Sequence, residues 1–205
     1  MKNFSIVQNF ICTKDSRLEV VRRNTKKLGS VFSDTNFYIN YNSDNQNYNP
    51  IKDSYKKNIK NVSFYNDLTK DWALVTLALV KEVKTPYVMY ICEDMEVNCS
   101  KEHMKSTMHE FTTEDMDYMF LSKIGAYTRE EYINGYTPYN TIKSPGYKKM
   151  DFGYFYLGKH APHKRLSMDM ICRTKFFIET LEEFLLKGEE CTCLLYTSDA
   201  ADEQW

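Results

Sequence analysis

No glycine precedes Gly29, so the first strand-to-helix turn, IVQNFICTKDSRLE, has no glycine-rich cradle of the kind dinucleotide-binding domains and nucleotidyl-transferring enzymes use for phosphates. The cysteines, at positions 12, 92, 99, 172, 191 and 193, form no CxxC pair, and the CxC at 191–193 has no partner cluster. This excludes a structural zinc site and leaves reduced thiols. No window approaches the length of a membrane-spanning helix, and residues 1–13 hold one lysine and no small-residue cleavage site, so a cytoplasmic protein without an integral membrane segment is expected. Charge of one sign is also missing. The 27 basic and 28 acidic residues give a formal charge of -1 and are dispersed, so no footprint for nucleic acid or an anionic membrane is present.

What is present is enough for one domain: 205 residues, 42% hydrophobic, with no internal repeat and no linker. Residues 5–11 (SIVQNFI) predict a first strand. A helix follows, with Ser16 and Glu19 as a capping box, Leu18, Val21, Thr25 and Leu28 on one face, and Gly29 as its stop. Residues 37–40 predict a second strand that opens into the polar loop NYNSDNQNYNP. The spacing of Ile51, Tyr55 and Ile59 predicts a short helix, residues 62–65 a third strand, and residues 71–83 (DWALVTLALVKEV) a helix that is apolar almost all round, with Trp72, Val75 and Leu79 toward the sheet. Residues 87–92 form the next strand, and a helix follows with Met104, Met108 and Phe111 on one face. Strands at 118–124 and 152–157 flank a long tyrosine-rich loop at 125–150, and a helix at 174–187 carries Phe177, Leu181 and Phe184. Strands alternating with helices at this spacing predict βαβ crossovers and a mainly parallel sheet.

The densest chemistry lies in TPYVMYICEDMEV, residues 85–97, where an apolar strand runs straight into Glu93, Asp94 and Glu96. In an open α/β sheet ligands collect at the carboxyl ends of strands, so acids there are placed to hold a cation or a polar ligand. If extended chain persists through Glu96, Asp94 and Glu96 share a face and Glu93 points to the other. Two carboxylates on one face can ligate Mg or Mn and leave positions for water and a diphosphate. The bland alternative is a solvated acidic turn after a buried strand.

The βα start, the polar loop after the second strand, the helix DWALVTLALVKEVKTPY and the strand YVMYICEDMEV together resemble a glycosyltransferase of the GT-A fold, similar to family 2 enzymes, over about residues 4–185. The resemblance implies an α/β three-layer sandwich with a mainly parallel sheet. It further implies a divalent cation (Mn or Mg) on a D-x-D-like motif, here Asp94 and Glu96 with Glu93 in support, a nucleotide-diphosphate sugar donor, and a saccharide or lipid-linked acceptor. Residues 1–99 would form the donor half and 100–192 the acceptor half. This chain departs from the family pattern at Met95, where an acid is usual in EDD, and at Glu96, which stands for the final Asp of DxD.

By position the resemblance puts the nucleoside near Asn9, Phe10 and Cys12 after the first strand and near Asn42 and Asp44 after the second, with Phe10 or Tyr41 able to pack on a ring. Ordinary turn chemistry explains Asn42 and Asp44 equally well. His160 and His163, with Lys164 and Arg165 in GKHAPHKR, would face the metal or diphosphate, although a surface loop is the competing reading. Asp151 and Asp169 are the acids of the second half best placed as a general base toward an acceptor hydroxyl. Tyr127, Tyr132, Tyr136, Tyr139 and Tyr147 could stack on sugar faces, but tyrosine is abundant throughout. Residues 193–203, CLLYTSDAADE, differ in character from the body and resemble the translated end of a sequencing adapter, so 193–205 is expected to be a non-native tail on a truncated domain of residues 1–192. Two other readings stand beside the transferase: a non-catalytic domain that kept the fold and lost metal competence, and a sugar nucleotidyltransferase, which the missing glycine cradle argues against.

Overall fold

The computed structural model describes residues 3–12, 14–66, 71–93, 97, 99–113, 115–120, 147–149, 155–157 and 170–187. Strand β1 (Phe4–Ile11) leads through a 3-10 turn at Asp15–Arg17 into helix α1 (Leu18–Phe32). Strand β2 (Asn36–Asn42), helix α2 (Asn49–Asn58) and strand β3 (Asn61–Tyr65) follow, then helix α3 (Trp72–Glu82) and strand β4 (Tyr87–Cys92). Helix α4 (Lys101–Thr113) precedes the short strands β5 (Tyr118–Phe120), β6 (Tyr147–Lys149), β7 (Phe155–Leu157) and β8 (Met170–Arg173), and helix α5 (Thr174–Lys187) is the last described element.

These strands form one sheet in the order β3-β2-β1-β4-β8-β5-β7-β6. The β3-β2-β1-β4 block is parallel, and β8 joins it antiparallel along β4, giving a five-strand, mainly parallel platform. Beyond it, β8, β5, β7 and β6 pair antiparallel. Alternation along the strands splits the core in two. Phe4, Ile6, Phe10, Phe37, Ile39, Met89 and Ile91 pack with residues of α1, α2 and α4. Val7, Val88, Tyr90 and Cys92 pack with α3 and α5 on the opposite face. The molecule is therefore the expected three-layer α/β sandwich.

Several boundaries differ from expectation for identifiable reasons. Helix α1 does not stop at Gly29 but runs to Phe32. The glycine serves a close helix crossing: a Cβ there would lie 2.4 Å from the Cβ of Asn58 on α2. Ser16 does not cap α1 either, since it lies within the 3-10 turn and the N-cap position, Arg17, makes no side-chain cap. By contrast, α3 begins as predicted, with Asp71 Oδ1 accepting from the amides of Ala73 (2.9 Å) and Leu74 (3.1 Å). Its nearly all-round apolarity is explained by α5, which packs against it; Phe177 and Leu181 share the core cluster of Leu77 and Val80. Tyr147 opens a strand paired with β7 rather than lying in the predicted loop, and β8 was not anticipated. Cys12, Cys92 and Cys172 are buried and form no disulfide. No helix among the described residues is long and apolar enough to cross a membrane.

Candidate functional site

Because β1, β2, β3 and β4 are parallel, their carboxyl ends open on one rim of the sheet. The chain proceeds β1 to β2 to β3 in one direction, and α3 then carries it back across the other face to β4, on the far side of β1. The strand order thus reverses between β1 and β4, the position at which open α/β sheets bind ligands. The N-termini of α2 and α3 and the turn leading into α1 face the same rim, bringing the positive ends of helix dipoles to it.

The loops at this rim are tied to one another. Ser43 Oγ donates to the Cys12 carbonyl at 2.6 Å. The Tyr48 hydroxyl donates to the Lys14 carbonyl at 2.7 Å and accepts from Cys12 Sγ at 2.9 Å, while the Tyr41 hydroxyl donates to the Tyr48 carbonyl at 2.6 Å. Asp15 Oδ1 accepts from the side-chain amides of Asn45 (2.7 Å) and Asn47 (2.9 Å). Those two hydrogen bonds, Asn47 first, hold the Asp15 carboxyl below its ordinary range. The loops after β1 and β2 are therefore joined by side-chain contacts.

The expected nucleoside contacts divide on this geometry. Asn42 is half-buried at the end of β2, in register with Ile11, and Asp44 is exposed in the loop beyond, so both remain on the rim. Phe10 does not. It is 0% exposed, stacked on Tyr41 at 4.3 Å between centroids, and edged by Tyr48 and Tyr55, because the inward alternation of Phe4, Ile6 and Phe10 commits it to the core. This pairing also removes the Tyr41 face that was expected to meet a ring. Asn9 is 5% exposed and turns the other way. Its Nδ2 donates to Thr76 Oγ1 at 2.7 Å and to the Tyr90 hydroxyl at 3.3 Å, and that hydroxyl also accepts from the Trp72 indole at 2.6 Å. This amide orders α3 over the sheet; only its Oδ1 has no partner among the described residues.

Strand β4 ends at Cys92 and Glu93 is in a turn, while the face-sharing expected of Asp94 and Glu96 falls on residues outside the described ones. Glu93 is 6% exposed, a buried carboxylate directly beyond the strand. Asp94, Glu96, Asp151, Asp169, His160 and His163 lie outside the described residues, as do Lys164, Arg165, Tyr127, Tyr132, Tyr136 and Tyr139 and the tail at 193–205. No group of three or more His, Cys, Asp or Glu side chains that could hold a metal occurs among the described residues.

Two features escaped the sequence. A groove of about 530 Å³ runs between β3 and α3, lined by Asn40, Tyr65, Asn66, Val75, Leu79 and Glu82 among others. Asn66 directly follows β3, and its place after a short strand was the available signal. The second feature is Asn24 of α1, 1% exposed, whose Nδ2 donates to the Glu93 carbonyl at 3.0 Å and whose Oδ1 accepts from the Val97 amide at 3.3 Å.

No family model and no curated protein matches the chain. Among solved structures it is similar to S. aureus TarS 1-349, with a TM-score of 0.55 and 12% identity over 87% of this chain and 49% of that one. The same TarS fragment in complex with UDP-GlcNAc gives a TM-score of 0.55 and 13% identity, over 87% and 47% of the two chains. A weaker similarity, with a TM-score of 0.48 and 13% identity over 90% and 76%, is to 4-diphosphocytidyl-2C-methyl-D-erythritol synthase from Anaerococcus prevotii DSM 20548. The chain spans about half the length of the TarS fragment. Its fold is GT-A-like, a three-layer α/β sandwich on a mainly parallel sheet.

Proposed function

We propose that this chain is the donor-binding part of a glycosyltransferase that takes its sugar from a nucleotide-diphosphate donor and passes it to a saccharide or lipid-linked acceptor. The observation that carries this reading is that β4 ends at the carboxyl rim beside β1, where the strand order reverses, directly before Asp94 and Glu96 in the sequence. The GT-A-like fold supports it, as does the UDP-GlcNAc held by TarS. Asn42 and Asp44 offer amide and carboxylate groups to a base edge or ribose hydroxyls from the β2 side, about 10 Å across the sheet from the end of β4. The oxygen donor set of Asp94 and Glu96 suits a hard divalent cation such as Mg or Mn, which would offset charge developing on the leaving diphosphate. Glu93, buried at the end of β4 and next to Asp94 in the sequence, would support the same site. His160 or His163 would meet the diphosphate, and Asp151 or Asp169 would deprotonate the acceptor hydroxyl.

Titration of the chain with a panel of nucleotide sugars in the presence of Mn tests this. One donor is expected to bind or be slowly hydrolysed, and Asp94→Asn is expected to abolish the effect. Donor binding that survives Asp94→Asn unchanged would remove the metal assignment. Met95 and Glu96 favour a second reading, a domain that binds a nucleotide without turning it over. Tight binding of a nucleoside diphosphate with the same affinity with and without Mn, and no hydrolysis of any donor, would establish that reading instead.

A further inference from the structure

Asn24 lies on the inward face of α1 with Val21, Thr25 and Leu28. Thr25, the neighbouring buried polar residue, returns its hydroxyl to its own helix at the Val21 carbonyl, 2.9 Å away. Asn24 instead reaches out of the helix, and both ends of its carboxamide bind main chain across the sheet rim: the Glu93 carbonyl at 3.0 Å and the Val97 amide at 3.3 Å. Those two groups bracket residues 94–96. Four residues of extended chain span ~13 Å, farther than one carboxamide can bridge, so the chain leaves at Glu93 and returns at Val97 to a single point. Among short side chains only asparagine carries one donor and one acceptor side by side; aspartate lacks the donor, and serine lacks the reach.

We infer that Asn24 is the positioning residue of the acid-bearing segment, fixing from α1 both the departure and the return of the chain that carries Asp94 and Glu96. The inference rests on the reading of those two carboxylates as the cation and donor site, and it adds a mechanical link. The turn that starts α1 is bound through Asp15 to Asn45 and Asn47. One helix therefore ties the acid-bearing segment to the loops expected at the nucleoside, and the two sides of the donor site are held at a fixed spacing.

Hydrogen exchange on the full chain, with Mn binding followed by electron paramagnetic resonance, tests this with Asn24→Ala, Asn24→Asp and the control Val31→Ala. Val31 is a buried residue near the far end of α1 that is remote from the rim loops in sequence. In Asn24→Ala the protection of amides 93–97 is expected to fall ~10-fold relative to that of the core strands, whereas Val31→Ala lowers both together. Asn24→Asp keeps the acceptor for Val97 and removes the donor to Glu93. It is expected to leave the Val97 amide protected, so the test survives if the alanine variant does not fold. Mn affinity is expected to weaken ~10-fold in Asn24→Ala, following the loosened segment. Protection of 93–97 that merely tracks global stability in Asn24→Ala, as in Val31→Ala, overturns the inference. If protection falls as expected but the unmodified chain binds no Mn, the clamp stands and the cation reading of Asp94 and Glu96 fails.

Discussion

Helices α1 and α3 cover opposite faces of the same four parallel strands, yet they are attached by different chemistry. Helix α1 buries Asn24 and Thr25 among its apolar side chains, and its layer holds a run of packed rings, Phe10, Tyr41, Tyr48, Tyr55 and Phe64, threaded with hydroxyl and amide contacts. Helix α3 buries Trp72, Ala73, Val75, Leu77, Leu79 and Val80 with Thr76 as its one buried polar side chain, and α5 covers it in turn. The α3 layer is held by apolar area anchored at one indole. The α1 layer gives up apolar area for polar groups that reach main chain at the rim. Stability and site geometry are thus divided between the two faces of one sheet.

The largest expected effect falls on the α3 layer. Trp72 sits edge-on to Tyr90 at 5.6 Å and donates its indole N–H to the Tyr90 hydroxyl. Trp72→Ala removes the ring and orphans part of the Asn9 network, at a cost of ~3–5 kcal/mol in urea unfolding. If the division between layers is sound, hydrogen exchange in this variant accelerates in α3 and α5 before α1 and α2. Equal loosening of both would show that the layers are not separately anchored.

On the other face, the fully buried Tyr55 hydroxyl donates to Gln8 Oε1 at 2.7 Å, and Gln8 Nε2 has no partner among the described residues. Tyr55→Phe leaves the Gln8 side chain without a partner among the described residues and is expected to cost ~1–3 kcal/mol. The same burial pushes the Tyr55 phenol well above its ordinary value of 10.0, and Tyr41 and Tyr48 are raised in the same direction by desolvation. Above pH 10 the unfolded chain releases these protons while the folded chain keeps them, so stability falls as pH rises. Denaturation midpoints measured from about pH 8 to about pH 11 should drop less steeply in Tyr55→Phe than in the unmodified chain.

Much of this fold was legible in the sequence where a strong pattern met a strong stop. Strand β4 begins after Thr85-Pro86 and ends before the acids, and α3 starts at a residue that caps it. Legibility failed where one residue type serves two purposes. Gly29 read as a helix stop but permits close packing, and nothing local distinguishes the two. Asn24 was invisible because helical periodicity marks which apolar residues face inward, while a buried polar residue at the same spacing looks like a solvent-facing one. Phe10 follows the period-two pattern of Phe4 and Ile6 into the core, and a place near the end of a strand does not by itself turn a ring toward a ligand. Of the candidate site, the rim and its topology were legible, because both follow from strand order and helix placement, which a repeating βα pattern already encodes.

Gly29→Ala separates close packing from helix preference within the α1 layer. Alanine is the better helix former by ~1 kcal/mol, but its Cβ would meet the Asn58 Cβ at 2.4 Å, and neither atom is the end of a flexible chain. Overpacking costs ~1–3 kcal/mol, so the expected result is net destabilisation on the order of 1 kcal/mol. A stabilised variant would mean that α1 and α2 can part without penalty, which would weaken the view of this layer as tightly packed.

The smallest effect sharpens the comparison at the helix starts. Helix α3 is begun by its own residue, Asp71, whereas α1 has no side-chain cap and its leading turn is held by the neighbouring loop through Asp15. Asp71→Ala should cost ~0.5–1 kcal/mol, and Asp71→Asn, which keeps the cap and removes the charge, should recover most of it. Both changes stay local to α3. The Asp15 contacts behave differently because they join two loops, and their pH dependence has a definite sign. Its carboxyl is held below the ordinary 3.8, so the contact contributes above that value and is lost as pH falls through the lower folded value. Acid titration should therefore release the Asn45 and Asn47 side-chain amides together, seen as loss of their slowed exchange in NMR. Release of one amide without the other would mean that Asp15 does not join the two loops through both contacts, and that the start of α1 is held in some other way than by its neighbouring loop.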